Sequence, residues 1–146
     1  LVDSQELMDF LMEKEQTFKE PRELLLKLSE LAHSYLTLEI CGFVGFDEKK
    51  KNFVLQLEKN EADDPSSYFI INPLNYLLFK EKYDMVAIFH SHIVGNEEPS
   101  EFDIKMATVS CQPFLIYSLN TKKTHIFTPQ KTESDVKTLN RIKAII

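Results

Sequence analysis

Residues 84–92, DMVAIFHSH, constrain the fold more than any other segment. The run MVAIF is apolar at consecutive positions and short, so it reads as a strand buried on both faces. Such a strand belongs in the centre of a sheet. It ends in two of the chain's four histidines, and an acidic turn follows in HSHIVGNEEPSEFD, residues 90–103. The rest of the chain has to supply cover for the strand and a reason for two imidazoles where it ends.

Cover comes from amphipathic segments on either side. Ser4 is placed to cap a first helix through about Lys19, with Leu7, Phe10, Leu11 and Phe18 near helical spacing. Pro21 suits the first turn of a second helix, whose Leu24, Leu25, Leu28, Leu31 and Tyr35 follow the i, i+3, i+4, i+7 rule. EICGFVGFD reads as a strand, and NFVLQLEK alternates and pairs with it across the Lys49-Lys50-Lys51 turn. NEADDPSS is a loop, YFIIN a short strand, and Pro73 opens a helix to about Lys82. Ser100 starts a helix to about Ser110, PFLIYSLN and THIFTP form a second hairpin, and Ser134 caps a last helix to Ile146. Five or six strands and four or five helices in mixed order give an α/β class, as a sandwich or a strongly curved mixed sheet with helices packed against it.

Charge narrows the function classes. The net charge of −6 argues against nucleic acid as a partner, since phosphate binding needs clustered Lys and Arg. No apolar run is long enough to span a membrane, and the first twenty residues lack a signal-peptide core. A cytoplasmic protein is the expectation. Cys41 and Cys111 make neither a disulfide framework nor a C-x-x-C knuckle, and both are read as buried free thiols.

In a strand, residues i and i+2 share a face, so His90 and His92 can converge on one metal ion while Ser91 packs on the opposite side. Taken alone, H-x-H also describes two half-exposed histidines at a strand end. Likewise Ser100-Glu101-Phe102-Asp103 is a helix-capping pattern in its own right. The short turn 93–99 nevertheless brings that helix start back beside the histidines, where Asp103 could be a third ligand. Three protein ligands with a fourth position left open is the pattern of a catalytic zinc. Glu39, leading into an apolar strand, is the candidate base, because a carboxylate entering a buried strand needs a partner. His33 and His125 fall outside the cluster and read as structural or solvated.

These residues resemble a known family. A glutamate followed by C-G, then H-S-H, seven residues and S-x-x-D, looks like the JAMM (MPN+) metalloprotease signature, matched at Glu39, His90, His92, Ser100 and Asp103. ELLLKLSELAHSYLTLEICGFVG resembles the entry of prokaryotic JAB-domain proteins, and EKNEADDPSSYFIINPLNY resembles their N-x-A…P…F-x-I-x-P segment. The likeness covers about residues 21–128. Ile93 stands where many relatives have proline, and the insertions and second zinc of eukaryotic deubiquitinases have no counterpart.

The resemblance implies an MPN (JAB)-like curved mixed β-sheet with flanking helices over residues 21–146, preceded by an N-terminal helical extension over residues 1–20. It implies a zinc metallopeptidase with one Zn2+ per chain and a bound water. His90, His92 and Asp103 would hold the metal, Glu39 would act as general base and then acid, and Ser100 would donate to the developing oxyanion. Cap and donor compete for the Ser100 hydroxyl, and the expectation is that its backbone serves the helix while its side chain faces the substrate. The implied substrate is a ubiquitin-like protein or its conjugates, cut after the C-terminal glycine in deconjugation or precursor processing, as in antiphage ubiquitination-like systems. Sulfur-carrier processing, phage tail assembly and a non-catalytic MPN scaffold are the alternatives. Glu58, Glu61, Asp63 and Asp64 are expected in a loop flanking the substrate channel.

Overall fold

A computed structural model describes residues 15–146, and the greater part of the expected first helix, with its Ser4 cap, lies outside the described residues. Where that helix was to end, Gln16–Phe18 instead form a strand, β1. Along the chain follow α1 (Pro21–His33), β2 (Cys41–Asp47), β3 (Asn52–Glu58), α2 (Pro73–Lys82), β4 (Asp84–His92), α3 (Glu101–Ser110), β5 (Phe114–Ser118), β6 (Thr124–Phe127) and α4 (Val136–Lys143).

The strands form one sheet in the order β1-β3-β2-β4-β5-β6. β4 lies inside it, antiparallel to β2 and parallel to β5. Hairpins join β2 to β3 and β5 to β6, as the alternation and turn residues require. Successive side chains point to opposite faces, and each face has its own helices. Leu24, Leu28 and Leu31 of α1 and Leu139 and Ile142 of α4 pack on Val44, Leu55, Phe89 and Leu115. On the other face Phe79 of α2, Ala107 of α3 and Phe69 pack on Phe43, Ile88, Phe114 and Ile116. The mixed α/β class and the sheet with helices packed against it are as expected.

A register shift between Val44 and Gly45 bulges the β2–β4 ladder. Val86 and Ala87 therefore both join the α1 side, while Met85 and Ile88 face α2 and α3. From Ile88 onward alternation resumes, which aims His90 and His92 at α3.

Three element assignments need correcting. YFIIN is not a strand. Its extended backbone is satisfied locally, with Ile70 N donating to the Asn60 side chain and Glu61 N to Ile70 O, while β1 already occupies the outer edge of β3. Asp135, not Ser134, caps α4, accepting from Thr138 N at 3.1 Å. Glu58 is not in a loop either: it ends β3, 3% exposed, with its side chain bonded to Gln56. Among the described residues no helix is long and apolar enough to cross a membrane.

Candidate metal centre

His90 and His92 sit at the end of β4, 0% and 8% exposed. Phe69 stacks on the His90 ring at 4.4 Å between centroids and Phe114 meets it edge-on at 5.5 Å. These rings exclude water from one side of the imidazole and hold its plane. Asp103 reaches the same point from the first turn of α3. The α3 start is a full capping box. Ser100 Oγ accepts from Asp103 N at 3.0 Å, and Ser100 N donates to Asp103 Oδ2 at 3.0 Å. The Ser100 side chain thus does serve the helix, contrary to expectation. The conflict dissolves because capping uses a lone pair and leaves the hydroxyl hydrogen free.

Three donor atoms converge. His90 Nε2 lies 3.2 Å from His92 Nε2, and Asp103 Oδ2 lies 3.1 Å and 3.0 Å from the two nitrogens. Ligands held at ~2.0–2.1 Å in a tetrahedron are spaced by about 3.3 Å, so this triangle fits a zinc-sized cation. The hydrogen-bond chemistry agrees. His92 Nδ1 lies 2.8 Å from the Asn96 carbonyl, which only accepts, so Nδ1 carries a hydrogen and a neutral ring turns the Nε2 lone pair toward the Asp103 carboxylate. Two lone pairs facing one another need a positive charge between them, supplied by a proton on Nε2 or by a metal ion. His90 Nδ1 is buried without a hydrogen-bond partner among the described residues.

The proton affinities express the same demand. Burial would lower His92, but the Asp103 carboxylate and the Asn96 carbonyl outweigh it, and the ring holds a proton more tightly than usual. Burial lowers His90 despite Asp103. For Asp103 burial acts upward, yet hydrogen bonds from His90 and His92 hold the carboxyl well below the usual range.

Glu39 enters from the residue before Ile40 and β2. Its neighbour Ile40 exchanges hydrogen bonds with Ser91, Ile40 N donating to Ser91 Oγ at 2.9 Å and Ser91 N to Ile40 O at 3.0 Å. Ser91, expected only to pack, therefore pins the Glu39 segment to the histidine strand. A ligand atom from each of Glu39, His90 and His92 lies within 4.8 Å of the others. Two carboxylates could thus complete the histidine pair, and Asp103 makes the tighter triangle. Burial, the largest cause, raises Glu39 to about 8, with His92 opposing and Asp103 and Asp64 adding. Without a metal ion these shifts favour an ionised Asp103 and a protonated Glu39 at neutral pH, and a cation beside Glu39 would favour the ionised form that a base needs.

The remaining candidates lie apart. His33 Nε2 bonds Tyr117 OH at 2.8 Å, and His125 approaches Glu98 at 3.9 Å. Cys41 is buried and its thiol is pushed well up by burial, while Cys111, expected buried, is half-buried in the left-handed cap of α3. An apolar cleft of ≈ 180 Å³ between α2 and α3 has Phe69 as one wall but none of the four converging residues. Reading the sequence missed Asn60 and Phe69, whose only signal was their place in the N-x-A…P…F segment.

The sequence pattern of the family described as prokaryotic homologs of the JAB domain matches residues 21–131. No curated protein matches the chain. The solution structure of protein DSY2949 from Desulfitobacterium hafniense is similar to it, with 23% identity and a TM-score of 0.54 over 72% of this chain and 77% of that one. That likeness is one of fold.

Proposed function

The chain belongs to the family of prokaryotic homologs of the JAB domain, and from that premise we propose that it is a zinc metallopeptidase. It hydrolyses peptide or isopeptide bonds after the C-terminal glycine of a ubiquitin-like protein. The observation that carries this reading is the triangle of His90, His92 and Asp103 donor atoms, 3.0–3.2 Å apart, with the buried Glu39 carboxyl beside it.

His90, His92 and Asp103 would hold the metal. Zinc, when bound, polarises a carbonyl and lowers the pKa of water to ~7. Glu39 takes a proton from the attacking water and delivers it to the leaving amine. Ser100, exposed at the mouth of the site with its hydroxyl hydrogen uncommitted by the cap, donates to the developing oxyanion. Phe69 and Phe114 keep the His90 side dry, which strengthens each of these electrostatic contacts. Exposed Asp63 and Asp64 favour a tail with basic residues before its glycines.

Purified protein is expected to carry about one zinc per chain, and His90→Ala or Asp103→Ala to lose it. Glu39→Gln is expected to keep the zinc and lower turnover of a ubiquitin-like fusion by ~10²–10⁴-fold, the usual worth of general acid–base catalysis. A wild-type protein that takes up no zinc would be a scaffold and not an enzyme. Loss of zinc from Glu39→Gln would make Glu39 the ligand.

A further inference from the structure

The Glu39 carboxyl receives no side-chain hydrogen bond from the described residues, so its position is set by its backbone. One side of that backbone is held by Ser91. The other is held by the loop after β3: Glu39 N donates to Pro65 O at 2.7 Å, and Glu39 O accepts from Asn60 Nδ2 at 3.0 Å. We propose that Asn60 is a positioning residue for Glu39, a single carboxamide that fixes the proton carrier and the aromatic wall of the metal centre as one unit. This rests on the reading of Glu39 as the proton carrier.

Asn60 Nδ2 also faces Pro65 O at 3.3 Å and Tyr68 O at 3.0 Å, and its Oδ1 accepts from Ala62 N at 3.0 Å and Ile70 N at 3.2 Å. Two donor hydrogens and one acceptor on a short side chain thus close the loop 60–70 on itself and on Glu39. The same loop carries Phe69 onto His90 and Tyr68 onto Phe102, whose rings meet edge-on at 5.4 Å. Asparagine is the side chain this geometry selects. Aspartate has the same shape but turns lone pairs toward three carbonyls, and glutamine is a methylene too long. A base displaced by about 1 Å loses on the order of 10²-fold in rate, so a carboxamide that never touches substrate can still govern turnover.

The test uses Asn60→Asp, with Asn60→Ser as a second variant should the first not fold. Three readouts are followed: zinc uptake, amide exchange at Glu39 against Phe89, and hydrolysis in wild-type and Glu39→Gln backgrounds. Zinc uptake is expected to stay near the wild-type level, because the three ligands stand on β4 and α3. Glu39 amide exchange is expected to accelerate at least about tenfold while Phe89 in β4 stays protected. The kcat is expected to fall about tenfold or more with KM within about threefold, and this loss to vanish in the Glu39→Gln background. Unchanged exchange at Glu39, or the same fold loss in both backgrounds, would overturn the proposal. If wild-type protein holds zinc and cuts no ubiquitin-like fusion, the functional reading fails, while the exchange measurement still decides Asn60.

Discussion

Replacing the titratable carboxyl of Glu39 with an amide is expected to stabilise the metal-free protein near neutral pH. The carboxyl is 6% exposed, and burial moves it from the ordinary 4.5 to about 8. The unfolded chain gives up this proton where the folded chain keeps it. The group's contribution is therefore fully present below its unfolded value and is lost as pH rises toward about 8. At 1.36 kcal/mol per pH unit, the loss accumulated by pH 7 is roughly 3 kcal/mol. Glutamine has nearly the same shape and no proton to release. After chelation, Glu39→Gln is expected to exceed wild type by ~2–3 kcal/mol at pH 7 and by less than ~1 kcal/mol at pH 5. Urea unfolding followed by circular dichroism at both pH values measures the gap. Adding zinc should narrow it, since a neighbouring cation favours the ionised carboxyl. Equal stabilities at pH 7, or a gap of the same size at pH 5, would refute the reasoning.

Other perturbations follow from single contacts. Ser91→Ala leaves Ile40 N–H without its acceptor and should cost ~1–3 kcal/mol in urea unfolding; an unchanged midpoint would mean that the bond does not hold β2 to β4. A Cβ on Gly42 would stand 2.1 Å from the Gln56 carbonyl oxygen and 2.6 Å from the Phe89 ring, so Gly42→Ala should destabilise by ~1–3 kcal/mol, and thermal unfolding at wild-type temperature would contradict that crowding. Burial raises Glu58 against the hydrogen bonds of Gln56 and Asn75, so its stabilising contribution is present at low pH and lost as pH rises through its folded value. Glu58→Gln should accordingly raise Tm relative to wild type more at pH 8 than at pH 5, and a pH-independent difference would rule out titration as the cause.

Much of the candidate site was legible because its rules are local. Two histidines at i and i+2 of any strand share a face, and S-x-x-D at a helix start closes on itself through two backbone N–H groups. Pro21 and Pro73 each open a helix for a reason confined to one turn. The apolar length of MVAIF likewise placed β4 inside the sheet before any partner was known.

What escaped the sequence depends on groups far apart in the chain. Gln16–Phe18 became a strand because the outer edge of β3 offered unpaired backbone groups, a demand that periodicity near residue 10 cannot register. YFIIN lost its strand when one side chain, Asn60, met the hydrogen-bonding needs of the segment instead. Glu58 closes the NFVLQLEK strand, and only its pairing with Cys41 separates it from the acidic loop that follows and sets it against Asn75 of α2. The bulge at Val44 and Gly45 decides which face of β4 carries the imidazoles. The sequence supplied the candidate ligands. Only long-range pairing brought Glu39, thirteen places before β3, and Asp103, eleven residues past His92, within reach of one cation, because hydrogen bonds between strands fix positions that residue type alone leaves free.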